Sequence, residues 1–271
     1  FVFSLRHNAF WLSLLLIFFL GCASAPEKKV PKTDGEFFNK AMEFYIARDA
    51  WQGIPAFQEI RDKFPLSQYA VLAELRIADL HYFKAEYIEA IHFYEEFKRL
   101  HPSNPHVSYA VFQLGMCYFQ QIEAIDRDQT PAEEAARYFE YLVEHYPTSP
   151  FTGKAMGKLT ICRQKIFEHD FYIGHFYYKT KKYMASKKRF LKILTHHTHA
   201  KEKDKILFYL ALTYQQLNEE NEAKETLLKL LENYPQSKHT TQAKLLLDIP
   251  LEPEEKEELE KNQKKKRFII F

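Results

Sequence analysis

The chain has 271 residues, 46% hydrophobic and 27% charged, with 38 Lys and Arg against 36 Asp and Glu. That apolar share is ample for a packed core and excludes an intrinsically disordered chain. A formal charge of +2 gives no electrostatic case for nucleic acid. With only 7 glycines, neither G-x-G-x-x-G nor G-x-x-x-x-G-K-[ST] occurs, which argues against nucleotide chemistry. Phe 24 and Tyr 17 against Trp 2 suit a helical array that uses aromatic rings as packing wedges.

At the N-terminus a largely apolar run, Ala9 to Leu20, follows Arg6 and His7. It is too short for a bilayer span of about 20 residues but suits the core of a signal peptide. Phe19-Leu20-Gly21-Cys22-Ala23 comes next and resembles a bacterial lipobox, with Phe19 where Leu is commonest. The resemblance implies residues 1–21 as a lipoprotein signal peptide, acylation of Cys22, and residues 22–33 as a polar, lipidated tether. Ala23, rather than Asp, then points to the outer membrane. An ordinary signal peptide cut near Ala23-Ser24-Ala25 is the alternative. Cys117 and Cys162 lie in helical patterns and read as small buried apolar side chains, with a disulfide left open.

Prolines then punctuate the chain at Phe64-Pro65, His101-Pro102, Tyr146-Pro147 and Tyr234-Pro235, at intervals of 37, 45 and 88. With each Pro set at position 32 of a repeat, small residues recur at positions 8 and 20 and aromatic or Leu residues at 11 and 24. Ala78, Ala90 and Tyr94 fill the second repeat; Ala211, Tyr214, Ala223 and Leu227 fill the last. Ala41, Phe44, Gly53 and Phe57 fit the first, although Pro55 intrudes in its second helix. In the third, Gly115, Tyr118, Ala135 and Phe139 fit once a polar insertion around Asp126-Arg127-Asp128-Gln129-Thr130-Pro131 is allowed. Thr130 is expected to N-cap the helix there, with Pro131 at its first position. A fourth repeat, lacking its Pro, uses Gly174, Tyr177, Ser186 and Phe190, and its first helix is extended backwards by about 14 residues. This register resembles the tetratricopeptide repeat. It predicts an all-α solenoid of five helix-turn-helix repeats over 34–249, at about 34–70, 71–107, 108–151, 152–203 and 204–247. Residues 250–271, opened by Pro250 and Pro253 and rich in charge, are expected to form a disordered tail.

Three stretches carry a more specific likeness. They are Tyr82-Phe83-Lys84 with Phe97-Lys98-Arg99-Leu100-His101-Pro102 and His106-Val107-Ser108-Tyr109-Ala110; Asp126-Arg127-Asp128 with Ala135-Ala136-Arg137-Tyr138-Phe139 and Tyr146-Pro147-Thr148-Ser149-Pro150-Phe151; and Phe171 to Tyr178 with Arg189 and Phe190. Together with the lipobox they resemble the outer-membrane assembly lipoprotein family BamD (ComL). The family's proline after the fourth repeat is replaced here by Thr198, and the basic tail is not a family feature. The resemblance implies a non-enzymatic scaffold of the β-barrel assembly machinery, anchored at the periplasmic face of the outer membrane, with no cofactor beyond the lipid on Cys22. It implies docking of the barrel-forming core subunit by the C-terminal repeats, with Arg189 at the family's contact position. It also implies contact with other assembly lipoproteins and receipt of unfolded outer-membrane proteins by the N-terminal repeats. Arg189 has a plainer reading as a solvated cation beside Lys187 and Lys188.

First-helix positions that usually face the groove supply Phe38, Asn39, Tyr45, Arg76, Asp79, Tyr82, Phe83, Tyr109, Phe112, Gln113 and Phe119. Aromatic walls with Arg76 and Asn39 as polar handles suit an extended peptide that carries aromatic residues. The same rings also suit packing between repeats. Among rival readings, His196, His197 and His199 could offer imidazoles to a metal, but no carboxylate or Cys stands at ligand spacing beside them. Another repeat-bearing lipoprotein adaptor, a secretin pilotin or a cell-division coordinator, shares the lipobox and the repeats.

Overall fold

A computed structural model describes residues 31–196 and 202–268, and every regular element among them is an α-helix. The first hairpin pairs α1 (Asp34–Ile46) with α2 (Ala50–Lys63), and the second α3 (Gln68–Phe83) with α4 (Tyr87–Leu100). The third pairs α5 (Val107–Phe119) with α6 (Thr130–His145), and the fourth α7 (Thr152–Lys179) with α8 (Tyr183–His196). The fifth pairs α9 (Lys203–Gln216) with α10 (Glu220–Asn233), followed by α11 (Thr240–Leu246) and α12 (Pro253–Phe268). The expected all-α class and its hairpin repeats are therefore present. The expected backward extension is α7, whose 28 residues make it about 42 Å long. The signal segment, Cys22, residues 23–30 of the tether, Thr198, His197 and His199 lie outside the described residues.

The chain packs as two units, one up to Ala73 and one from Glu74, with the boundary inside α3. In the first unit Thr33 caps α1: its hydroxyl accepts from the Glu36 N–H, while the Glu36 carboxylate accepts from the Thr33 N–H. Ala41, Phe57 and Ile60 are fully buried between α1 and α2. Pro55 sits in α2 without breaking it.

In the second unit each helix packs on its sequence neighbour, α4 on α5 and so on to α10 on α11. Stacking of this kind buries each hairpin against the next, so the unit is an α-solenoid whose stability is a sum over adjacent interfaces. Two glycines set how closely the hairpins close. A Cβ on Gly115 would lie 2.5 Å from the Phe139 ring, and one on Gly174 would lie 2.7 Å from the Phe190 ring. The small residue at position 20 of repeat four has a second role, since the buried Ser186 hydroxyl donates to the Gly174 carbonyl at 2.9 Å.

Connections between repeats share one piece of local chemistry that the proline spacing only half reveals. A Ser or Asn stands two residues after each of the four prolines: Ser67, Asn104, Ser149 and Ser237. Its N–H donates to the carbonyl before the Pro, at 2.9–3.0 Å, which closes a turn with Pro pre-set at its second position. Its side-chain oxygen then accepts from the N–H two residues on, at Tyr69, His106, Phe151 and His239. Each break in one helix thus leads directly into the next.

Two expectations need correction. Thr130 does not cap α6: the N-cap is Gln129, and the Thr130 hydroxyl donates to Asp128 instead, at 3.0 Å. The Gln129 amide turns inward and donates to the Ala124 and Arg127 carbonyls, so it holds the inserted loop together. The charged tail is not disordered over its described part but forms α12. Pro253 suits a first helical position, Glu254 and Glu255 favour the positive end of the helix dipole, and Glu and Lys are good helix formers. Lys244 of α11 pairs with Glu255 at 2.7 Å and holds that carboxyl below its usual range.

Candidate functional site

Within the second unit the groove residues gather around one buried carboxylate. Asp79 of α3 is fully buried, not on the groove surface where its repeat position placed it. It accepts from the hydroxyls of Tyr94 on α4 at 2.5 Å and Tyr109 on α5 at 2.6 Å, and pairs with the Arg76 guanidinium at 2.7 Å. A buried carboxylate is tolerated only when paired and hydrogen-bonded, and three helices meet here to do both. Burial, with the Asp79 charge adding to it, pushes the Tyr94 hydroxyl well above its ordinary pKa and the Cys117 thiol up to about 12. Cys162 is likewise buried and pushed up to about 12, and both thiols are free.

Above this network lie the side chains a ligand could meet. Arg76, Tyr109 and Gln113 are half-buried, and the Gln113 amide donates to the Tyr109 hydroxyl at 3.1 Å. Phe112 stacks on Phe151 with ring centres 5.4 Å apart, and Phe119 sits edge-on to the buried Phe139. The Lys158 ammonium lies 4.1 Å over the Phe119 ring. Tyr82 is half-buried, its hydroxyl accepting from Gln120 at 3.0 Å, and Phe83 is exposed. In the first unit Phe38 packs against Phe57 and Tyr69, Tyr45 is edge-on to Phe57, and Asn39 is exposed. Most of these rings therefore pack against other rings of the chain, while Phe83 is left exposed. The groove positions of the first helices do not include Phe151, Lys158 or Tyr94, because Phe151 closes the third repeat, Lys158 belongs to the fourth and Tyr94 lies on a second helix. Only a pairing of Asp79 with residues 15 and 30 positions away would have found the network.

Arg189 lies half-buried on α8, directly after two lysines of different fates. Lys187 pairs with Glu219 at 2.5 Å and sits 5.1 Å over the Tyr214 ring, whereas Lys188 is exposed. Among the described residues no carboxylate pairs with Arg189. On the facing first helices, Phe171, His175, Tyr178 and Tyr209 form a continuous aromatic cluster, with Lys205 3.9 Å over the Phe171 ring. Burial, with Lys179 and Lys205 adding to it, holds His175 below its ordinary pKa.

His196 is exposed, its ring nitrogen 3.0 Å from the Lys192 carbonyl. Among the described residues no three His, Cys, Asp or Glu converge to hold a metal, and no helix is long and apolar enough to cross a membrane.

Hairpins stacked in one register, closed by small residues and wedged by aromatics, define a tetratricopeptide-type repeat protein, a class whose faces bind other chains. A family model described as "Outer membrane lipoprotein" (YfiO) matches residues 31–230, and the chain belongs to that family. It is 28% identical over 210 residues to the outer membrane protein assembly factor BamD of Caulobacter vibrioides, covering 77% of this chain and 69% of that one. It is 25% identical over 231 residues to the factor of the same name in Rickettsia prowazekii, covering 84% and 92%. Among solved structures, a tetratricopeptide repeat protein from Parabacteroides merdae aligns over 79% of this chain and 73% of its own, with 13% identity and a TM-score of 0.35. The relatives bear the name of an assembly factor and not of an enzyme.

Proposed function

We propose that the chain is a scaffold of the machinery that inserts β-barrel proteins into the outer membrane, held at the periplasmic face by lipid on Cys22. The observation that carries this is the family match over 31–230, which takes in the hairpins from α1 through most of α10. An acylated, diacylglyceryl Cys22 anchors firmly, because each buried methylene contributes about 0.8 kcal/mol.

In this reading the C-terminal repeats dock the barrel-forming core subunit through Arg189, and other assembly lipoproteins join the complex. The in-chain pairing of Lys187 supports this choice of cation, since Arg189 is left to take its carboxylate from a partner. A planar guanidinium suits a bidentate, charge-assisted bond of that kind. The groove of α3 and α5 receives extended segments of unfolded outer-membrane proteins, with Phe83 and Phe119 as walls and Arg76 and Gln113 as polar handles.

The complex purified through this chain from detergent-solubilised membranes should contain a large outer-membrane barrel with periplasmic repeats. Recovery of a secretin instead overturns the reading. Arg189→Glu should keep wild-type helical content and melting temperature while losing the barrel subunit. Breaking one side of an interfacial charge pair costs about 2–5 kcal/mol, or roughly 30-fold or more in affinity. Lys188→Glu is the matched control, because Lys187→Glu would also break the Glu219 pair. Equal binding by the Arg189 and Lys188 variants refutes the role.

A further inference from the structure

The first hairpin carries an apolar surface that lies outside the α3–α5 groove and α8 residues invoked above. In stacked repeats a terminal hairpin has an outer face that no further repeat covers, and soluble arrays make that face polar. Here α1 turns Gly35 and Phe38 toward Tyr69, while another strip of the same helix carries Phe37, Lys40 and Phe44. That strip and α2 enclose a shallow groove of about 380 Å³ whose lining includes Phe37, Phe44, Trp51 and Pro55, with Lys40 and Glu59 at its edge. Trp51 is 86% exposed, and Ile46, across the α1–α2 turn, is 77% exposed. A tryptophan and an isoleucine held this far into water flank a single tight turn.

We propose that this hairpin is a second membrane contact, in which Trp51 and Ile46 enter the interfacial layer of the bilayer that anchors Cys22. The inference rests on the lipidation of Cys22 proposed above. From Cys22 to Pro31 the chain extends at most about 30 Å, and α1 is about 20 Å long, so the whole hairpin is within reach of the headgroups. Tethering turns a weak contact into an intramolecular one at an effective concentration in the millimolar range. The chemistry of the patch fits an interface better than a protein core. Tryptophan concentrates at headgroup depth, where its ring is buried and its N–H stays wet. Along the tether Lys28, Lys29 and Lys32 outnumber Glu27, which suits anionic phospholipid, whereas the hairpin over 34–63 carries six Asp and Glu against four Lys and Arg, so its own contact is apolar rather than electrostatic.

Trp51 is the only tryptophan after residue 21, so it reports on itself. Cys117 and Cys162 are buried with pKa values near 12, which leaves Cys22 as the reactive thiol of the chain from Cys22 onward. That chain, which keeps every described residue, is coupled through Cys22 to a maleimide lipid. The vesicles are phosphatidylethanolamine and phosphatidylglycerol, with and without bromine on the upper acyl chain. The expected result is Trp51 emission shifted to shorter wavelength and quenched by the brominated lipid, and an Ile46→Ser variant that is quenched less. Water-like, unquenched emission overturns the proposal. So does a short-wavelength emission already present without vesicles, which assigns the patch to the tether if it survives dilution and to a second copy if it does not. Because the lipid is attached chemically, failure here is separate from failure of native lipidation, which Cys22→Ser tests by release from membranes.

Discussion

Gly115 offers the sharpest check on the register that defines the fold. Adding one methyl group there places a Cβ 2.5, 2.7 and 2.9 Å from three carbons of the Phe139 ring. Ordinary carbon contacts are about 3.5–4.0 Å, so the ring must retreat by roughly 1 Å. It has little room, because Phe139 is fully buried and flanked by Phe112 and Phe119. Overpacking of this kind costs about 1–3 kcal/mol. The same substitution gains about 1 kcal/mol of helix propensity, which blurs a single measurement. Gly157 removes the ambiguity: it lies exposed within α7, and nothing is within 4 Å of its added Cβ. Gly157→Ala should therefore stabilise by about 1 kcal/mol, while Gly115→Ala falls below it by about 1–3 kcal/mol. For a chain of this size each kcal/mol moves the melting temperature by about 2–4 °C. Thermal melts and urea titrations of the two variants side by side give the difference directly. Equal shifts for both would refute the packing of α5 on α6. A Gly115→Ala, Phe139→Leu double variant should recover part of the loss, since the two sites share one contact.

Two further outcomes follow from buried groups. Asp79→Ala leaves the Tyr94 hydroxyl and the Arg76 guanidinium without their shared acceptor and should cost about 3–5 kcal/mol; a loss near zero in urea unfolding would mean the carboxylate is not buried. His239 stacks on Phe208 at 4.5 Å and is held below its ordinary pKa by burial first, with Lys238 and Lys205 adding and Asp204 opposing. The fold disfavours its proton relative to the unfolded chain, so its stabilisation is complete above about pH 6.5 and lost as the pH falls below that. His239→Gln should flatten the slope of stability between pH 7 and pH 5, and an unchanged slope refutes the assignment.

The repeats were legible because proline and small residues carry backbone information locally. Pro65, Pro102, Pro147 and Pro235 mark turns wherever they occur, and Gly115, Gly174 and Ser186 mark close helix contacts. What was not legible depended on partners far along the chain. Repeat position tells which side of a helix a residue occupies but not how deep it lies, so Asp79 was read as groove when Tyr94 and Tyr109 cover it. The expectation for the tail takes Pro250 and Pro253 as breakers and the charge as a mark of disorder, although Pro253 and the acidic first turn are also helix-start signals. Left-handed turn residues gave no signal either. Arg48, Ala85, Lys181 and Asn218 all hold positive φ at the turn inside a repeat, and three of those four are residue types that seldom do. Here the geometry of the hairpin overrides local preference.

The two candidate surfaces differ in a way that bears on what each can recognise. In the groove the Arg76 charge is answered inside the chain by Asp79, and the Tyr109 hydroxyl is held by the same carboxylate. What the groove presents is therefore rings with directed N–H donors, fixed in place by a buried network and carrying little net charge from that pair. Such a surface fits the proposed receipt of unfolded chains, because rings and neutral donors can meet extended segments of many sequences. At α8 the arrangement is reversed. Lys187 is answered by Glu219, but the guanidinium two residues on is answered by no carboxylate among the described residues. One uncompensated, planar cation on a rigid helix selects for one carboxylate at one place. On the function proposed above, the broad surface would be offered to substrates and the narrow one to a permanent neighbour, the core subunit.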